Sequence, residues 1–479
     1  MFENTGAWVL VGVFLFFSAL ILLSYRLSRK MSDLGHFFLA DRKLDGPSVV
    51  FSFVATWIGA ASTIATLNAV HARGLNGLWE LGVPSVLSCL MITFLIARRV
   101  AFSNTFSQPE AIEQAYGKVA RGFLSVVILF AVVNFVGSQL VAAAQLYQAV
   151  LGIDFSATVM GVALAVLGYT WLGGYLAVVM TDRIQVTALA VALVILMFFA
   201  FPYHSDWVVN IGSAGEAWKN FEATGPEQWG LALTFVLGWS IAPEMWQRMS
   251  SLKQPEKAQK AAAWSTVWVT VHFMIIALIG LASQSMIQGE ESRAVLVTLA
   301  QQLPSVLSVL VLIGITSAIA SSLDSGLNVA SLTLTYDVIA RFFLRDAPQK
   351  TYVWVSRLAT ALILIPGVAI ALYFQDIIQI LWISADIYAA SMFVPVVAYL
   401  YQDDLSRWFG RAIPTASGQW AVVTGLLVSV VTFAGQFDGV TLTAFWPAWP
   451  WTTLLGIGLS ATVFLLVMFF QPVSTEKTA

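Results

Sequence analysis

The chain has 479 residues, of which 58% are hydrophobic and only 10% are charged, and its mean hydropathy is +0.81. A typical soluble domain has about 25% charged residues, so this composition excludes a soluble protein and indicates a polytopic membrane protein. The net charge of −2 argues against a nucleic-acid partner, because such partners are attracted by basic surfaces. We therefore expect the lipid bilayer to be the main environment of the chain.

The hydrophobic segments predict an all-α fold with about 13 transmembrane helices, which we number spans 1 to 13. Each is close to or above the ~20 residues that a helix needs to cross the hydrocarbon core of a bilayer. The predicted spans are residues 7–25, 47–69, 78–97, 122–150, 156–176, 182–203, 229–247, 262–286, 305–339, 353–373, 376–400, 419–435 and 449–470.

The distribution of Lys and Arg predicts the orientation of the chain. The loops after the odd-numbered spans carry 21 of the 24 basic residues, and the loops after the even-numbered spans carry only 3. Because cytoplasmic loops are enriched in Lys and Arg, we expect a multi-pass protein of the cell membrane. Its N-terminus would lie outside and its C-terminus in the cytoplasm.

Two spans interrupt their apolar sequence with Gly, Pro or Ser, at Ala55–Ser62 in span 2 and at Gly238–Glu244 in span 7. Non-helical backbone at membrane depth is tolerated only where it is buried or lines a cavity, and inverted-repeat transporters place such breaks in both repeats. We therefore predict a first repeat at 47–203 (spans 2–6) and a second at 229–402 (spans 7–11). An extra helix and loop would occupy 1–46, an extracellular loop 204–228, and two further helices with a short tail 403–479.

Span 9 carries hydroxyl side chains where the bilayer makes them costly. Ala318, Ser321, Ser322 and Ser325 are spaced by three and four residues, so they share one helix face. Small side chains also suit a plain helix–helix contact. A row of hydroxyl oxygens on a buried face, however, suits a hard cation such as sodium.

Four stretches occur together in a distinctive order: Thr56–Gly59, Gly173–Gln185, Gln247–Ala258 and Ala318–Ser325. With these motifs the chain resembles the sodium:solute symporter family over nearly its whole length. The resemblance implies a LeuT-type core of inverted five-helix repeats, with one N-terminal and two C-terminal extra helices. It also implies that Na⁺ is the co-transported ion.

The resemblance implies a sodium site between spans 2 and 9. Its ligands would be the backbone carbonyls of Ala55, Ile58 and Ala318 and the hydroxyls of Ser321 and Ser322.

Some family members hold a second sodium, and their ligands match Asp182, Asp324 and Ser325, together with Ser321. Two other interpretations of Asp182 stay open. It could stabilise the start of a helix, where an acid suits the exposed amides, or it could pair with its neighbour Arg183.

The solute site is predicted less directly. The positions of Trp57 and Trp382 look like those of the choline-carrier branch, whose cavity is an aromatic cage, and such a cage attracts quaternary amines. The likeness is partial, because Val86, Val141 and Ala242 stand where choline carriers have further aromatic residues. The candidate solute contacts are Thr56, Trp57, Glu80, Trp239 and Trp382.

Three acids have simpler explanations. Glu80 suits the first turn of span 3, Glu244 is spaced to pair with Arg248 one turn later, and Asp386 follows Ser384 and could cap a local break.

These patterns predict a sodium-coupled secondary active symporter that imports a small organic solute by alternating access. The solute would be an amino acid, an organic acid or a quaternary amine such as choline. An enzyme is not expected, since no nucleophile–base set is apparent. A solute sensor that does not transport and a channel remain the alternatives.

Overall fold

The protein is described by a computed structural model that covers residues 2–29, 33–200, 225–287, 294–437 and 449–471. Most of the predicted loop 204–228 and the end of the tail lie outside these residues. The helices are α1 (Phe2–Ser28), α2 (Leu34–Leu39), α3 (Gly46–Trp57), α4 (Thr66–Arg73), α5 (Gly82–Met91), α6 (Ala97–Phe102), α7 (Gln108–Leu151), α8 (Phe155–Ala200), α9 (Pro226–Ser240), α10 (Pro243–Ser250), α11 (Pro255–Met286), α12 (Val295–Gln302), α13 (Ser305–Leu332), α14 (Gln349–Tyr373), α15 (Ile377–Leu400), α16 (Gln402–Phe409), α17 (Thr415–Phe437) and α18 (Trp451–Phe470). Short 3₁₀ or π segments lie at Ala40–Arg42, Ala61–Ala65, Gly74–Trp79, Ile92–Ile96 and Thr333–Phe343.

The prediction of an all-α membrane protein is confirmed, since the described ranges contain helices and no strand. Within them, ten helical segments are long and apolar enough to cross a bilayer. The count of 13 is not confirmed. One of the ten segments runs through predicted spans 2 and 3, α8 alone covers spans 5 and 6, and span 7 is divided between the shorter helices α9 and α10.

The long helix α8 bends sharply at one glycine. Gly174 has φ 50° and ψ −160°, a conformation that residues with a Cβ rarely adopt. A Cβ at this position would also lie 2.7 Å from the carbonyl oxygen of Phe37. The Gly-Gly pair of the family motif is therefore the point at which α8 divides into two helical halves.

The backbone is interrupted at both places that the sequence predicts. In the first, α3 ends at Trp57 and Ile58 has φ −95° and ψ 80°. In the second, α9 ends before Ile241, Ala242 is extended with ψ 137°, and Pro243 begins α10. Proline suits the first position of a helix because it has no N–H to leave unpaired.

Helix α13 lies at the centre of the molecule, where it packs along α8 and α7. Every side chain from Gly314 to Leu332 is buried. Helix α15 packs against α7, α9 and α17, and α17 pairs with α18 at the periphery. Large apolar side chains cover the outer surface; Phe94 and Phe198, for example, are each 68% exposed. Such a surface is expected to face lipid.

A buried ion-pair network, which we call the Arg121 network, joins the start of α7 to the segment after α13. The Arg121 guanidinium lies 2.7 Å from Asp337 and 2.5 Å from Glu113. Ser107 donates a hydrogen bond of 2.6 Å to Asp337, and Arg341 pairs with Glu113. Arg121 and Asp337 have side chains only 5% and 0% exposed, and Arg121 is the cation that balances the charge of Asp337.

Candidate functional site

The interruption of α3 lies directly against α13, and we call the oxygen atoms that meet there the oxygen cluster. Ser321 Oγ donates hydrogen bonds to the carbonyls of Ala55 (2.9 Å) and Ala318 (3.0 Å). Ser322 Oγ donates to the carbonyl of Thr56 (3.1 Å) and lies 3.4 Å from that of Ala55. Both serines are buried. Four of the five predicted sodium ligands are thus brought together.

The fifth predicted ligand, Ile58, is the residue at which the helical geometry of α3 stops, so its ψ of 80° turns the carbonyl away from the helix axis. The next residue explains the close approach to α13. A Cβ on Gly59 would lie 2.6 Å from Ser322 Oγ and 2.8 Å from Gln139 Oε1. Only glycine allows the interrupted backbone to pack this tightly.

The oxygen cluster has the chemistry that a sodium ion requires. Hard cations are bound by carbonyl and hydroxyl oxygens, and the cluster consists of these alone. The cluster also joins two helices, because its carbonyls come mainly from α3 and its hydroxyls from α13. An ion held there would therefore stabilise one particular distance between α3 and α13.

The residues predicted for a second sodium lie near an arginine. Asp324 accepts hydrogen bonds from Tyr169 (2.7 Å) and Ser325 (3.3 Å). Among the described residues, neither carboxylate oxygen of Asp182 accepts a hydrogen bond. The Arg248 guanidinium lies 3.9 Å from Asp182 and donates a 2.7 Å hydrogen bond to Ser325. A protein cation already occupies part of this region.

Both alternative interpretations of Asp182 are wrong. Helix α8 continues through Asp182, and the Thr181 hydroxyl bonds back to carbonyls within the same helix, so no helix begins there. Arg183 pairs instead with Asp45, at 3.2 Å, and also contacts Ser48. The hydrogen bond from Ser48 lowers the pKa of Asp45, which keeps this partner of Arg183 ionised at the start of α3.

The expected ion pair between Glu244 and Arg248 is also wrong. Arg248 donates to the backbone carbonyl of Glu244 (3.1 Å) and to that of Ser52 (3.0 Å). Neither carboxylate oxygen of Glu244 accepts a hydrogen bond from the described residues. The helical spacing was right, but the arginine turns towards α3 and α13 rather than towards the carboxylate.

A cavity lies beside the oxygen cluster, and we call it the central cavity. It encloses about 510 Å³ of empty space, including space open to solvent. Its polar lining residues are Thr56, Ser62, Ser85, Gln139, Glu244 and Ser322, and its aromatic lining residues are Trp57, Phe135, Phe235 and Trp239.

The five predicted solute contacts divide into two groups. Thr56, Trp57 and Trp239 line the central cavity. Trp382 does not line it, because it lies behind Phe235 with the ring centres 5.4 Å apart. Glu80 does not line it either and forms a 2.5 Å ion pair with Arg73.

Several residues that line the cavity are not predicted by the sequence patterns. Gln139 accepts a hydrogen bond from the Ala60 amide (3.1 Å) and so holds the second half of the broken helix. A glutamine in an apolar span is costly, and this could have marked it. Phe135 and Phe235 gave no such signal, because aromatic residues are abundant throughout the chain.

Asp386 serves the periphery rather than the cavity. It accepts hydrogen bonds from Trp449 Nε1 (2.8 Å) and Thr453 Oγ1 (2.9 Å). Helix α15 continues through Asp386, so the predicted local break is wrong. Asp386 instead links α15 to α18 through its hydrogen bond with Thr453.

The chain is similar to known transport proteins over most of its length. The family model described as "Sodium:solute symporter family" matches residues 37–403. The chain is 25% identical over 445 residues to the high-affinity proline transporter PutP of Bacillus subtilis (strain 168), covering 86% of this chain and 89% of that protein. It is 24% identical over 455 residues to a sodium/proline symporter of Staphylococcus aureus, covering 90% and 86% respectively.

Solved structures show the same fold. A substrate-bound, outward-open Na⁺-coupled sialic acid symporter is similar with a TM-score of 0.79 and 16% identity, covering 96% of this chain and 97% of that one. MhsT in complex with L-phenylalanine is similar with a TM-score of 0.55 and 12% identity, covering 88% and 97%. These likenesses confirm the predicted LeuT-type core.

Proposed function

Since the chain belongs to the sodium:solute symporter family and couples sodium to the transport of a small solute, we propose that it imports this solute by alternating access. Sodium would bind at the oxygen cluster and the solute in the central cavity. The observation that supports this most directly is that Thr56 and Ser322 belong to both. An ion that fixes these two residues would also shape the wall of the solute site.

The energy available from one ion is sufficient for concentrative uptake. One sodium ion crossing 100 mV supplies ~2.3 kcal/mol. Because ~1.4 kcal/mol corresponds to a tenfold concentration ratio, the voltage alone could sustain a solute gradient of roughly fiftyfold.

We also propose the orientation and the repeat boundaries that the sequence predicts. The division of the 24 basic residues into 21 and 3 supports an external N-terminus and a cytoplasmic C-terminus in this multi-pass membrane protein. The two interruptions, after Trp57 and after Ser240, support repeats at 47–203 and 229–402.

Uptake into proteoliposomes tests the proposed function. The purified protein should accumulate solute above the external concentration when an inward sodium gradient is applied, and a potassium gradient of the same size should not drive this. Amino acids, beginning with L-proline because relatives are proline carriers, should be tried beside organic acids and quaternary amines. Uptake that stops at equal concentrations would indicate a channel, and binding without uptake would indicate a sensor.

Trp57 should matter more for the solute than for sodium. Trp57→Ala removes a face of the central cavity but leaves the oxygen cluster in place, so we expect solute affinity to fall about tenfold or more, in line with the ~2 kcal/mol of a desolvated aromatic contact. Trp57→Phe should retain part of the affinity, because a smaller ring still offers a π-face. Isothermal calorimetry with solute and with sodium would measure both. If Trp57→Phe and Trp57→Ala lose the same amount of solute affinity, Trp57 only packs against its neighbours and does not contact the solute.

A second sodium at Asp182, Asp324 and Ser325 stays a prediction. It is supported by the carboxylate oxygens of Asp182, which accept no hydrogen bond within the described part of the chain. The variant Asp182→Asn should then make uptake depend less steeply on sodium concentration, since one of two ions would lose its charged ligand. Unchanged steepness would show instead that Asp182 only balances the charge of Arg248.

A further inference from the structure

Glu244 presents an acid to the central cavity. It lies in the first turn of α10, lines the cavity and is only 1% exposed. Neither of its carboxylate oxygens accepts a hydrogen bond from the residues that the structure describes. A buried carboxylate without a partner is costly unless a positive group or hydrogen-bond donors reach it.

Among the described residues, no cation forms an ion pair or hydrogen bond with this carboxylate. Arg248, one turn further along α10, donates to the backbone carbonyl of Glu244, not to its carboxylate, and otherwise directs its guanidinium to Ser52, Ser325 and Asp182. No Lys, Arg or His is among the residues that line the cavity. Both carboxylate oxygens are therefore available to a positively charged group that enters the cavity.

The aromatic side chains that line the same cavity also attract positive charge. Trp57 and Trp239 line the same cavity, and the faces of indole rings attract positive charge. The ring of Tyr388 packs edge-on against Trp239, with the centres 5.7 Å apart, which fixes the orientation of the indole. A carboxylate and two tryptophans around one cavity are suited to a positively charged nitrogen.

Two kinds of positive nitrogen could enter, and the carboxylate distinguishes them. A protonated amine carries N–H groups that can donate charge-assisted hydrogen bonds to the two free oxygens of Glu244. A quaternary amine has no N–H and would leave both oxygens without a donor. The free acceptors therefore favour a nitrogen that bears hydrogen.

We propose that Glu244 determines specificity by binding a protonated primary or secondary amine of the solute, with the charged nitrogen against the tryptophan wall. This inference rests on the proposed function, because it takes the central cavity to be the solute site. It narrows the solute to amine-bearing compounds, such as amino acids, and excludes simple organic acids and quaternary amines.

A panel of solutes that differ only at one nitrogen tests this proposal. One set consists of L-proline, N-acetyl-L-proline and N,N-dimethyl-L-proline. The other consists of L-alanine, propionate and N,N,N-trimethyl-L-alanine. Each is added to the purified protein in sodium, and the shift in thermal unfolding temperature is titrated. We expect stabilisation by a free amine in at least one set and little or none by its acylated, deaminated or quaternary counterparts.

Variants then assign the effect to Glu244. The Glu244→Gln variant should weaken binding of the stabilising amine about 10- to 100-fold, because a hydrogen bond to a charged group is lost, whereas Glu244→Asp should retain part of the affinity. The matched control is Glu256→Gln, which makes the same change at an exposed acid paired with Arg98 and should bind like the wild type.

The panel decides the proposal even where a variant fails to fold. The proposal is overturned if no amine stabilises the wild-type protein, if amines and their neutral or anionic counterparts stabilise it equally, or if the quaternary compounds bind best. Failure of the proposed function gives a different result. If an amine binds equally well in sodium and in potassium, the proposed amine binding by Glu244 is supported, but coupling of sodium and solute through the oxygen cluster is contradicted.

Discussion

Replacing Ser321 with alanine should weaken sodium binding about 10- to 100-fold without unfolding the protein. A buried interaction with a charged group contributes roughly 1.5–3 kcal/mol, and ~1.4 kcal/mol corresponds to a factor of ten. The change removes one hydroxyl that contacts the carbonyls of Ala55 and Ala318 and leaves the backbone ligands in place. Ser322→Ala should have an effect of similar size. Sodium-dependent thermal stabilisation, titrated against potassium, would measure both.

Ser317→Ala provides the control for this experiment. Ser317 lies one turn earlier on α13 and is equally buried, but its hydroxyl donates to the carbonyls of Gln185 and Gly314 instead of contacting the oxygen cluster. It should leave sodium affinity unchanged. If Ser321→Ala and Ser322→Ala both retain the wild-type sodium titration, sodium binds elsewhere.

The Asp337→Ala variant should destabilise the protein by about 3–5 kcal/mol, the usual cost of breaking a buried ion pair, because Arg121 would then have to share Glu113 with Arg341. Asp337 accepts from both Nε and Nη2 of Arg121, at 3.1 and 2.7 Å, and Glu113 is the only other acid that the structure shows paired with this guanidinium. We expect a lower unfolding temperature and less folded protein in the membrane. Fluorescence-detected gel filtration and a thermal melt in detergent would show both effects.

Two further variants separate charge from packing in the Arg121 network. Asp337→Asn keeps an acceptor for Arg121 and should lose less stability than Asp337→Ala. Asp403→Ala removes an exposed acid at the start of α16 and should change stability by no more than about 0.5 kcal/mol. Equal stability of Asp337→Ala and the wild type would show that Arg121 is adequately balanced by Glu113 alone.

The features that the sequence predicted best depend on local chemistry. Both interrupted helices were predicted because Gly59 and Pro243 weaken helical backbone when they fall in the middle of an apolar span. The face of α13 was found because Ala318, Ser321 and Ser322 follow helical spacing, which fixes their common direction whatever packs against them.

The features that the sequence did not predict depend on packing between distant segments. The spacing of Glu244 and Arg248 permits an ion pair, but the guanidinium instead donates hydrogen bonds to acceptors on α3 and α13. Trp382 lies on a helix beside the cavity, yet Phe235 stands in front of it. Such outcomes depend on the rotation of whole helices against one another, which no local pattern encodes.

The two residues shared by the oxygen cluster and the central cavity, Thr56 and Ser322, have a thermodynamic consequence. Coupling between two bound ligands is reciprocal, so the factor by which sodium tightens solute binding equals the factor by which solute tightens sodium binding. On the cytoplasmic side, loss of either ligand would then weaken the hold on the other by the same factor. A low internal sodium concentration would therefore speed solute release. Solute that has accumulated inside would slow the dissociation of sodium, so the rate of transport would fall as the internal solute concentration rises.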